Sequence, residues 1–153
     1  MAVHKGNIAA ERGTSDRRLE AEVRKAILYH DLLRSFDLPL VIRVHDGRVR
    51  LEGAVCTEMM KRVAAEAAGS VPGIQEVQNE LVSDTELELQ IAQRLARDPR
   101  TRLLTTDVTI QPFLGTVHLR GRVGSSALRE AAAEVTSEVK GVRQVVNELI
   151  VED

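Results

Sequence analysis

Four histidines and one cysteine are the residues best suited to metal binding or nucleophilic chemistry, and their spacing supports neither. His4, His30, His45 and His118 stand far apart. None has a second His or a Cys at the short intervals that metal-ligand sets use. Cys56 has no partner motif. It lies between a strand pattern and a helix start, where a thiol pKa could fall; a small residue at a strand-to-helix junction is the simpler reading. A single cysteine allows no intrachain disulfide. No nucleophile, base and orienting group stand at a recognisable spacing. Neither Gly-x-Gly-x-x-Gly nor Gly-Lys-Ser/Thr occurs. The sequence points away from an enzyme, a metal protein and a resident cofactor.

The densest run of cations is Arg94, Arg97, Arg100 and Arg102, interrupted by Asp98. Near an anionic leaflet each cation contributes about 1 kcal/mol, so the cluster suits a weak, salt-sensitive contact with phospholipid. Cations at a helix C-terminus also complement its dipole with no ligand at all. Leu89 points away from Leu87 and Leu95 on the same helix and is expected to be an exposed apolar contact. Asn79 and Asn147, each followed by Glu, could bind a ligand through their amides. Their recurrence with the core pattern favours a role in satisfying backbone groups.

Composition narrows the classes further. Of 153 residues, 43% are hydrophobic and 29% charged, which fits a folded chain, and the net charge is −2. Aromatics are only Tyr29, Phe36 and Phe113. Few stacking groups and slight acidity argue against nucleic-acid binding. The stretch from Met1 to Arg18 is polar and does not read as a signal peptide. No run approaches the roughly 20 apolar residues of a spanning helix, and no lipobox cysteine is present. The expected location is cytoplasmic, with envelope association left open.

A shift of 68 positions, which takes Ser15 onto Ser83, aligns the two halves without a gap. Leu19, Val23 and Ile27 meet Leu87, Ile91 and Leu95. Gly47, Val49, Leu51, Gly53 and Val55 meet Gly115, Val117, Leu119, Gly121 and Val123. Val71, Gly73, Val77, Asn79 and Leu81 meet Val139, Gly141, Val145, Asn147 and Leu149. This is one module in two copies, residues 15–82 and 83–153, with 1–14 as a flexible tail outside the repeat.

Each copy reads as helix, strand, strand, helix, strand. Leu19, Val23 and Ile27 lie at four-residue steps on one helical face, with Asp16 and Asp84 as N-caps. Leu40, Ile42 and Val44 alternate with outward residues, and Asp46-Gly47 signals a tight hairpin. The return strand turns Val49, Leu51, Gly53 and Val55 inward. A second helix, capped by Thr57 or by Ser125 or Ser126, runs to Gly73 or Gly141. A last strand covers 74–82 or 142–151. The predicted class is α+β: two tandem αββαβ modules, each a three-stranded mixed sheet with two helices on one face and the return strand central. Pro112 then falls in an edge strand, where its missing N–H is tolerated. Gly53 and Gly121 are expected to admit a close helix or to mark a bulge.

The ordered set of a leading Asp with apolar residues at four-residue steps, Gly-x-Val-x-Leu-x-Gly-x-Val, an Ala-rich helix and Gly-[Ile/Val]-x-x-Val-x-Asn-x-Leu resembles the BON domain of bacterial osmotically induced and nodulation proteins. It stands here as Gly47 to Val55 with Gly73 to Val82, and as Gly115 to Val123 with Gly141 to Ile150. The resemblance implies a non-enzymatic αββαβ module tied to envelope integrity, osmotic stress and phospholipid. The expected partner is an anionic phospholipid surface or another protein; a small-ligand or ion sensor is the remaining alternative.

Modules of this size rarely gain more than about 3–5 kcal/mol from their own core. Further apolar faces are therefore expected to be used. Leu28 and Leu32 on the first helix, with Val146 and Ile150 on the outer side of the last strand, are the expected contacts between modules or between copies of the chain.

Overall fold

The computed structural model describes the backbone of residues 5–102 and 108–152 and the side chains of 15–102 and 108–152. α1 (Lys5–Leu28) is followed by β1 (Leu40–His45), β2 (Arg48–Val55), α2 (Glu58–Gly69) and β3 (Glu76–Ser83). The second copy repeats the order: α3 (Asp84–Arg97), β4 (Thr109–Phe113), β5 (Thr116–Val123), α4 (Ser126–Ser137) and β6 (Gln144–Val151). The two sheets are ordered β1-β2-β3 and β4-β5-β6, so the return strand is central in each, as expected.

The hairpins set the registers. Asp46 and Gly47 both have positive φ, 49° and 78°, the backbone of a two-residue turn whose twist matches the strands it joins. The turn puts His45 opposite Arg48 and Leu40 opposite Gly53. In the second copy the turn residues are Leu114 and Gly115, φ 48° and 85°. Leucine is a costly residue there. Asp84 offsets this by accepting hydrogen bonds from Leu114 N at 2.9 Å and Gly115 N at 3.3 Å. Both sheets are mixed: β5 pairs antiparallel with β4 and parallel with β6.

Strand alternation and helix period then build two cores. Leu19, Val23 and Ile27 are buried with Ile42, Val44, Val49, Leu51, Met60, Ala64 and Leu81 in the first copy. Leu87, Ile91, Leu95, Val117, Leu119, Val123, Ala132, Val135 and Leu149 form the second. Each fully buried aliphatic side chain is worth about 1.5–3 kcal/mol. By compactness the chain divides into one unit that runs through Gly53 and includes Met59–Leu81, and another that joins Ala54–Glu58 to Val82 and beyond. In that second unit Ser83 Oγ donates to Glu58 Oε1.

Several local expectations are corrected. α1 begins at Lys5, within the segment set aside as a tail, so Asp16 lies inside a helix rather than at its start. In the second copy the cap is Ser83, whose Oγ accepts from Glu86 N at 3.1 Å, and Asp84 is the first helical residue. α2 and α4 end at Gly69 and Ser137; Gly73 and Gly141, both at positive φ, belong to the turns after them. Gly53, φ 129°, admits no helix: a Cβ there would lie 1.9 Å from Pro39 O, so the close neighbour is the backbone leading into β1. Pro112 does sit in an edge strand.

Candidate anion-contact site at the end of α3

The basic cluster divides evenly: Arg94 and Arg100 meet carboxylates, and Arg97 and Arg102 form no ion pair among the described residues. α3 ends at Arg97, and Asp98 closes it by donating its N–H to Arg94 O. The Asp98 carboxylate folds back on the turn that follows. Its Oδ1 accepts from Arg100 N at 2.9 Å and Nε at 3.0 Å, and its Oδ2 accepts from Arg100 Nη2 at 2.8 Å. Arg100 reaches on to α4 and the turn after it, donating to Glu138 at 2.8 Å and 3.2 Å and to Glu134 at 3.3 Å. Arg94 Nη2 donates to Glu138 Oε2 at 2.9 Å. Thr101 is buried and its Oγ1 donates to Leu95 O.

Two arginines thus meet three carboxylates. The Arg100 hydrogen bonds hold the carboxyls of Asp98 and Glu138 below the ordinary carboxylate range, Asp98 strongly so. Arg100 itself is driven further into its charged form by Asp98 and then Glu138. The cluster is a staple between the end of α3 and the end of α4, and it neutralises half of the run that the sequence marked as cationic.

Arg97 is different. It is exposed and, among the described residues, forms no ion pair. It lines a cavity of about 320 Å³ together with Gln90, Gln93 and Arg94 on α3 and Glu138, Val139 and Lys140 beyond α4. Lys140 is likewise exposed and without an ion-pair partner among the described residues. Sequence reasoning missed it because a single lysine 43 positions from Arg97 carries no signal until the two helices pack side by side. Arg102 is exposed in the turn after Asp98. Leu89 is 60% exposed on α3.

The other singled-out residues belong to separate units. Leu28 is half-buried and Leu32 is 50% exposed in the first unit. In the second, Val146 stands opposite His118 and Ile150 opposite Arg122 on the sheet face away from the core. Ile150 is 64% exposed and Val146 half-buried.

The histidines are scattered. His45 lies 3.5 Å from Asp46 and His118 Nδ1 lies 2.6 Å from Glu148 Oε1; both are surface contacts. No three metal-competent groups converge among the described residues. Cys56 is half-buried, and burial, with Asp84 beside it, pushes its thiol pKa up. That is opposite to the fall a helix start could have produced. Asn79 and Asn147 are spent on the backbone, as their recurrence suggested: Nδ2 of each donates to a helix carbonyl, Lys61 O or Arg129 O, at 2.9 Å.

Among the described residues no helix is long and apolar enough to cross a membrane. The profile described as the BON domain matches residues 15–82 and again 83–153. The outer membrane lipoprotein DolP of Haemophilus influenzae is 33% identical over 113 residues, 67% of this chain and 57% of that protein. The osmotically-inducible protein Y of Escherichia coli K12 is 26% identical over 147 residues, 88% of this chain and 71% of that one. The chain therefore spans little more than half the length of the lipoprotein it matches. Among solved structures, the C-terminal domain of CdsD, a structural protein of the type III secretion system of Chlamydia trachomatis, superimposes with a TM-score of 0.62 at 14% identity, covering 88% of this chain and 64% of that one. At that identity the likeness is one of fold alone.

Proposed function

The chain belongs to the BON-domain family, and on that premise we propose that it is a non-enzymatic binding module that rests against an anionic phospholipid surface in an envelope or osmotic-stress setting. The observation that carries this reading is the end of α3. Arg97 and Lys140 flank one open cavity without internal partners among the described residues, and Leu89 is exposed on the same helix. In this reading Arg94 and Arg100 serve the fold of the segment. They shape the segment through Asp98, Glu134 and Glu138, and the attraction rests on Arg97, Arg102 and Lys140. Three such cations supply about 3 kcal/mol at an anionic leaflet, which suits reversible attachment. The names of the relatives, an outer membrane lipoprotein and an osmotically-inducible protein, support this setting over the cytoplasmic one.

Co-sedimentation with vesicles containing phosphatidylglycerol, against vesicles of phosphatidylcholine alone, tests the reading. Pelleting is expected only with the anionic vesicles, falling with added salt and falling again in an Arg97→Ala, Lys140→Ala variant. Equal pelleting of that variant removes the cavity from the account, and no pelleting at low salt removes the membrane.

A second reading, docking of another protein, is favoured by Ile150, which is exposed on the sheet face away from its unit's core. Capture of a partner that an Ile150→Asp variant no longer binds would support it.

A further inference from the structure

An edge strand presents unpaired N–H and C=O groups to any other extended chain, including a second copy of itself. β1 and β3 are the edges of one sheet, β4 and β6 of the other. At each edge one residue, on the strand itself or on a neighbouring helix, takes up or removes such a donor.

The hairpin register fixes which groups of β1 face outward. His45 and Arg48 flank the two-residue turn and form the hydrogen-bonded pair, so Val44, opposite Val49, turns its N–H away from β2. Glu20 Oε1 accepts that N–H at 2.9 Å. The repeat places Pro112 at the same point of β4, opposite Val117, where the residue has no N–H to offer. One copy covers the donor and the other deletes it.

β3 and β6 use a third device. Leu149 N is accepted by Asn147 Oδ1 at 3.2 Å, while Arg129 Nε donates to Leu149 O at 2.8 Å. Both backbone groups therefore face away from β5. In the first copy Asn79 Oδ1 accepts from Leu81 N at 3.3 Å. Each asparagine is anchored to the adjacent helix by its Nδ2.

We infer that Glu20, Asn79, Pro112 and Asn147 are edge guards, each of which denies a second copy of this chain one outward-facing donor on the edge where it would add its own strand. The inference does not depend on the phospholipid reading.

The test is a swap between the two solutions. Glu20→Ala uncovers the Val44 amide. Val44→Pro in that background deletes the donor, as Pro112 does in the second copy. Amide hydrogen exchange at Val44 is expected to rise at least tenfold in Glu20→Ala, and sedimentation velocity is expected to reveal self-association that the Val44→Pro double variant reverses. Asn147→Val is expected to act likewise through the Leu149 amide. Unchanged exchange at Val44, or Glu20→Ala sedimenting as the unaltered protein at every concentration, overturns the inference. If Asn147→Val fails to fold, the Glu20 pair decides it.

Discussion

Asn147 and Arg129 hold each other's backbone. Asn147 Nδ2 donates to Arg129 O at 2.9 Å, and Arg129 Nη2 returns a bond to Asn147 O at 3.4 Å, while its Nε takes Leu149 O. The start of α4 is thereby tied to the middle of β6. Asn79 repeats the helix anchor with Lys61 O in the first copy. Replacing either asparagine with Leu leaves a backbone N–H and an anchoring carbonyl without their partner. Each substitution is expected to lower unfolding free energy by about 1–3 kcal/mol, read by urea denaturation. Unchanged midpoints would mean that water replaces the amide at no cost.

Thr136 offers the opposite case. It is fully buried on α4 and its Oγ1 has no hydrogen-bond partner among the described residues. The repeat places Ala68 at the same point of α2, equally buried. Thr136→Val removes the hydroxyl and keeps the shape, and is expected to stabilise the chain by about 1 kcal/mol. Calorimetry giving a lower melting temperature would show that the hydroxyl is satisfied in solution.

Gly53 permits no side chain. Its φ of 129° is one that other residues rarely adopt, and a Cβ would overlap Pro39 O. Gly53→Ala is expected to cost more than about 2 kcal/mol, from backbone strain and steric overlap together. Chemical denaturation checks this, and a loss below half that figure would mean that the residues before β1 yield easily.

Acid should loosen the second unit at the staple. The carboxyls of Asp98 and Glu138, held down first by hydrogen bonds from Arg100, and that of Glu148, held down first by His118, have folded pKa values below their ordinary ones. Such groups bind fewer protons folded than unfolded. Their contribution is complete above the ordinary carboxylate pKa of about 4 and is lost as pH falls below it toward the folded values. Stability is therefore expected to decline with acid below about pH 4, and Arg100→Ala is expected to flatten that decline. Urea titrations across the range measure both; an equal slope in the variant would detach Arg100 from the effect.

Cys56 is expected to react slowly. Burial and the neighbouring Asp84 carboxylate keep its thiol protonated, and only the thiolate is a good nucleophile. Its rate with a disulfide reagent near neutral pH should fall below that of a free cysteine, and Asp84→Asn should raise it. A rate above the free thiol would contradict the direction of the pKa shift.

Much of the architecture was legible in the residues. The gapless repeat, the Asp46-Gly47 turn, the alternation in β1 and β2 and the placement of Pro112 all follow from local rules of period, turn geometry and missing donors. Other features left no such mark. Leu114 stands at positive φ without being a glycine or asparagine, and Asp84, thirty positions earlier, takes the amides of that turn. Gly53 looked like room for a helix, and its neighbour proved to be the chain entering β1.

The amino-acid order alone determined a doubled αββαβ unit, because helix and strand periods and turn residues act over a few positions and repeat at a fixed interval. Only the packed structure decided which cations meet carboxylates among the described residues. Arg94 and Arg100 carry the same charge as Arg97 in the sequence, but ion pairing depends on distances of a few ångströms between residues some forty positions apart. Folding brings Glu134 and Glu138 to the first two and leaves Arg97 beside Lys140.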